Sequence, residues 1–85
     1  LDTGLLSKYH VRFVGPALTR RSRGALSAAA ITLVERRPAE TWGSQIQEYV
    51  VLLDARDRDD AVARVRKAIE GDGFYKDFAP VIAPS

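Results

Sequence analysis

One histidine, four aspartates within a seven-residue run, three arginines within four positions and a Gly-Asp-Gly step are the places where this sequence could do chemistry. His10 alternates with Lys8 and Arg12. As a general base it would need an orienting carboxylate and a nucleophile in hydrogen-bond reach, and the sequence locates neither, so it reads as an ordinary surface histidine. Asp54, Asp57, Asp59 and Asp60 offer the oxygens a hard cation wants. The loop glycine of a calcium site is absent, Arg56 and Arg58 interrupt the run, and an apolar residue stands where a bidentate glutamate belongs. These acids are therefore expected to cap a helix and oppose its dipole. Gly71 and Gly73 lack a following Lys-Ser/Thr pair and come after a helical pattern, whereas a phosphate loop follows a strand. No catalytic residue, cofactor or metal site is expected, and the chain reads as non-enzymatic.

The arginines remain. Arg20, Arg21 and Arg23 fall in PALTRRSRG, residues 16–24, which reads as an exposed basic loop. With Arg12 on a neighbouring strand they could hold phosphates, giving salt-sensitive binding with little sequence readout. Charge is uneven: residues 1–37 carry seven basic and two acidic side chains, residues 38–85 six and nine. Opposite halves of this kind suit attraction between two copies as well as a phosphate-binding face.

Eighty-five residues, 46% hydrophobic and 28% charged, suit a single small soluble domain over 1–85. The absence of cysteine excludes a disulfide framework and a thiolate metal site. No apolar run approaches the roughly 20 residues that span a bilayer, so no membrane contact is expected and the location is read as cytoplasmic. No signal peptide is visible, and the opening on Leu1 leaves room for a preceding segment.

The elements that must position these residues follow from periodicity. Residues 1–7 read as an N-terminal arm. KYHVRFV alternates, placing Tyr9, Val11 and Phe13 on one face, and Gly15-Pro16 ends it as a strand. Residues 27–36 mix a helical stripe with β-branched Ile31, Thr32 and Val34, and the reading is a second strand. A long loop follows with Trp42 at its middle. Residues 46–55 are apolar on both faces, which predicts a central strand covered on both sides. Asp57 is placed to cap a helix whose Ala61, Val62, Val65, Ala68 and Ile69 form one stripe, with Asp60 and Arg64 at i, i+4 spacing and Gly71 as the stop. The tail, 72–85, carries Phe74, Tyr75 and Phe78, with room for a short edge strand at Val81-Ile82.

Assembled, this predicts an α+β fold: an antiparallel three-stranded sheet with one amphipathic helix on one face, in the order β-β-β-α. Residues 49–70, YVVLLDARDRDDAVARVRKAIE, resemble the end of HicB-like antitoxin domains and are similar to part of the three-stranded, one-helix arm domains of phage integrases. A single helix leaves one sheet face bare. The expected function is protein–protein interaction, with self-association into a homo-oligomer through that face and the tail. Trp42, Phe74, Tyr75 and Phe78 are the expected contact residues. The alternative is a nucleic-acid-binding domain that holds phosphates with Arg12, Arg20, Arg21 and Arg23.

Overall fold

The computed structural model describes residues 5–38, 46–70 and 75–83. Its elements run β1 (Ser7–Gly15), α1 (Arg20–Ala28), β2 (Thr32–Pro38), β3 (Gln47–Ala55), α2 (Arg58–Ala68) and β4 (Lys76–Ile82). They form an antiparallel sheet of four strands in the order β2-β3-β1-β4. β3 thus lies between β1 and β2, and β1 between β3 and β4, so two split βαβ units interlock in the ferredoxin-like connectivity.

Both helices cover one face. The core there takes Tyr9, Val11 and Phe13 from β1, Tyr49, Val51 and Leu53 from β3, Leu26 from α1, and Ala61 and Val65 from α2. The alternation read in the sequence for β1 sends its side chains inward, and the pleat of β3, apolar on both faces, turns Tyr49, Val51 and Leu53 the same way. For α2 the cap and the inward stripe hold as read, while Gly71, read as its stop, lies outside the described residues. Asp57 caps it by accepting from the Asp60 N–H at 2.8 Å, while the Asp60 carboxylate accepts from the Arg56 N–H and from Arg64 Nε, each at 2.9 Å. Those bonds, the backbone one foremost, hold the Asp60 carboxyl below its ordinary range.

Three expectations are corrected. The sheet has four strands and two helices, where three and one were expected. The supposed basic loop is α1: Thr19 takes the N-cap and its side chain accepts from the Ser22 N–H, so Leu18, Ser22 and Leu26 turn inward at four-residue spacing. The second strand begins at Thr32, five positions later than residue 27, because the helix runs on to Ala28.

The end of α1 explains its reversal. Ala30 adopts φ 61°, its N–H donates to the Ser27 carbonyl, and the Ile31 N–H donates to Leu26 at 2.8 Å. This is a Schellman ending with buried Ile31 packed beside Leu26, built on an alanine where glycine would be unstrained. Six residues earlier Gly24 stands inside the helix, with open space where a Cβ would sit. The two residues are therefore each in the other's preferred place. Gly24→Ala and Ala30→Gly should each stabilise the fold by about 0.5–1 kcal/mol, read from urea unfolding midpoints at unchanged slope.

The tail also differs from expectation. Its edge strand runs the full seven residues of β4 and pairs with β1. A bulge opposite Phe13, with Asp77 at φ 60°, turns Phe78 inward. Phe78 stacks on Phe13 at 5.4 Å, and Tyr75 meets the same ring edge-on at 5.7 Å. Gly15 lets the Tyr75 ring lie directly on the backbone, since a Cβ there would overlap the ring.

Candidate uncovered sheet face

The face of the sheet away from the helices carries the groups that the core does not use. Strand pairing sets them in rows. One row holds Asp54 and Lys8, the next Thr32, Leu52, His10 and Val81, the next Glu35, Val50, Arg12 and Ala79, and the last Arg37, Glu48, Val14 and Lys76. β3 was expected to be covered on both sides. It is central, but Val50 and Leu52 point to the bare side and stay half-buried.

Ion pairs tie the charged members of these rows. Lys8 Nζ lies 3.2 Å from Asp54. Glu48 bridges two strands, receiving Arg37 Nε at 2.8 Å and standing 3.4 Å from Arg12 Nε. Arg37 also reaches Glu35 at 3.7 Å, and its affinity for its proton is raised chiefly by the hydrogen bond to Glu48. These pairs are exposed and contribute little stability, but they fix where the charges stand.

At the centre of the face lies a groove of about 420 Å³. His10 and Arg12 of β1 form part of its wall beside Val50 of β3, with Val34 and Glu35 from β2 and Ala79 and Val81 from β4. His10, read as an ordinary surface residue, is thus half-buried between the apolar neighbours Leu52 and Val81. A sequence signal for part of this existed: Val50 and Leu52 are apolar on the second face of their strand.

The other residues singled out from the sequence fall elsewhere. Trp42 and Phe74 lie outside the described residues. Tyr75 and Phe78, expected on a partner surface, pack against Phe13 of their own chain, and the Arg66 guanidinium lies 4.9 Å from the centre of the Phe78 ring. Arg20, Arg21 and Arg23 are exposed in the first turn of α1, on the helix side of the sheet, whereas Arg12 stands on the bare side. The four arginines do not form one surface. Three cations in the first turn also oppose the dipole of α1, which has no acidic residue there.

Among the described residues no group of three or more metal-ligating side chains comes together, and no helix is long and apolar enough to cross a membrane. Comparison with known proteins finds no matching family model, no matching curated protein and no matching solved structure.

Proposed function

We propose that this chain is a non-enzymatic assembly module that binds a second copy of itself through the uncovered face of its sheet. The observation that carries this reading is the composition of that face. Val34 and Val81 are more than half exposed, and with Val50, Leu52 and Ala79 they make a central apolar band. Around it the charges are mixed: Lys8, Arg12, Arg37 and Lys76 against Glu35, Glu48 and Asp54.

Such a face suits its own copy. In a face-to-face pair, a two-fold axis along the seam of β1 and β3 lays β1 of one chain over β3 of the other. That sets Lys8 over Asp54 of the other copy, and His10 and Arg12 over Leu52 and Val50, each pair occurring twice by symmetry. At the rim Arg37 comes opposite Lys76, with Glu35 and Glu48 beside Arg37 to offset them. Two sheets can pack in this way with their strands about 30° apart.

Edge-to-edge pairing is the less favoured mode. β2 ends in Glu35, Arg36, Arg37 and Pro38, and β4 carries a bulge and Pro80, devices that discourage strand addition. Nucleic acid fits less well too. The described part of the bare face presents no Phe, Tyr or Trp ring for a base to stack on, only the half-buried imidazole of His10, and its acids offset its bases.

Sedimentation at two concentrations tests the reading. A mass of twice 9.4 kDa at the higher concentration, falling to 9.4 kDa in Val81→Glu, is expected. Val81 is exposed, so the substitution should leave the fold intact, as circular dichroism would check. A mass of 9.4 kDa throughout would remove self-association.

A further inference from the structure

We infer that the groove on the uncovered face is a binding site for a small monocarboxylate with an apolar body. Its volume of about 420 Å³ is within the usual range for small-molecule sites, and its make-up is of the usual kind: apolar walls with a few polar groups. Val50, Ala79 and Val81 supply wall, and Val34 closes the β2 side.

Arg12 supplies the anion-recognising group. Among the described residues its charged partner is Glu48, whose carboxylate stands 3.4 Å from Nε. A guanidinium carries five donors, so one carboxylate beside Nε leaves the fork able to grip a second in the two-bond manner that suits it. His10 stands one row along on the same strand face, and among the described residues its ring makes no hydrogen bond, so it can donate to the same anion. Charge narrows the class. Arg37 pairs with Glu35 and Glu48, which leaves Arg12 as the one cation lining the groove, so a dianion such as phosphate would have one of its two charges unmatched beside Glu35. A monoanion needs only one cation, and its apolar part gains the valine walls.

The groove is complete within one chain. It therefore goes beyond the self-association reading, and a second copy packed on this face would roof the ligand without supplying its anchor.

The probe is sodium phenylacetate, titrated into methyl-labelled protein and followed by NMR, with 2-phenylethanol and inorganic phosphate as the uncharged and the dianionic comparisons. Saturable shifts at the Val50 and Val81 methyls and at the His10 ring are expected. Binding should weaken about tenfold or more in Arg12→Gln and for both comparison compounds. Arg12 is largely exposed, so its loss should leave folding intact. The proposal is overturned if no saturable shift appears, if Arg12→Gln titrates like the unaltered chain, or if the largest shifts fall at Leu26 and Ile31 on the other side of the sheet. Sedimentation of the same samples separates the two ideas, since a single chain that binds phenylacetate keeps this one and removes self-association.

Discussion

Phe13→Ala should cost about 3–5 kcal/mol, the largest loss expected from any single change in this chain. Phe13 is fully buried, and its ring is the meeting point of three others: Tyr49 at 5.3 Å, Phe78 at 5.4 Å and Tyr75 at 5.7 Å. Truncation removes the contacts that hold the inward turn of β4, so the sheet loses its fourth strand's anchor as well as core volume. A small domain holds only about 5–15 kcal/mol in total, so much of the folded population is at stake. Urea unfolding would measure it. A loss below about 1 kcal/mol would mean that the ring cluster closes over the gap and that β4 is held by its backbone pairing alone.

Tyr49→Phe should cost about 1–3 kcal/mol, although it deletes a single oxygen. That oxygen lies inside the fold and has two partners. The Leu18 N–H donates to it at 3.1 Å, and its own hydroxyl donates to the Pro16 carbonyl at 3.2 Å. The turn between β1 and α1 is thereby fixed to the central strand. Removing the oxygen keeps the ring packing and leaves a buried backbone donor without a partner, which is the costly case. At roughly 4–8 °C per kcal/mol for a domain of this size, a drop of at least about 4 °C in Tm should be visible. An unchanged Tm would show that water reaches the Leu18 N–H and that the hydroxyl does not hold the turn.

Much of the sheet could be read from the sequence because β1 alternates from Lys8 to Phe13 and β3 is a short continuous apolar run of the kind a central strand needs. α2 was equally plain, since Asp57, Asp60 and Arg64 sit where an N-cap, a first-turn acid and its i, i+4 partner belong. α1 was hidden for a physical reason. Its inward stripe is Leu18, Ser22 and Leu26, so a serine stands where an apolar residue would have signalled the period, and three arginines and Gly24 read as loop. The one local sign was Thr19 as a cap. β2 gave no alternation because every residue in it is exposed. β4 was obscured by the bulge at Asp77, which breaks the period, and by Pro80, which an edge strand tolerates.

The candidate site was half legible. Lys8, His10 and Arg12 were placed together on one strand face, and a bare sheet face was anticipated from the helix count. What the sequence could not supply was neighbourhood. Register alone sets Val50 and Leu52 beside Arg12 and His10, and the fourth strand brings Ala79 and Val81 to the same groove. The aromatic residues drew attention to the tail for binding, yet Tyr75 and Phe78 pack on the chain's own core.

Intermolecular NOEs between isotope-labelled and unlabelled copies test most directly whether the uncovered face receives a second chain. Cross-peaks from the Leu52 and Val50 methyls of one copy to His10 and Arg12 of the other are predicted, with none from Leu26 or Val65 on the helix side. Cross-peaks confined to the helix side, or none at a concentration where the mass has doubled, would contradict the account.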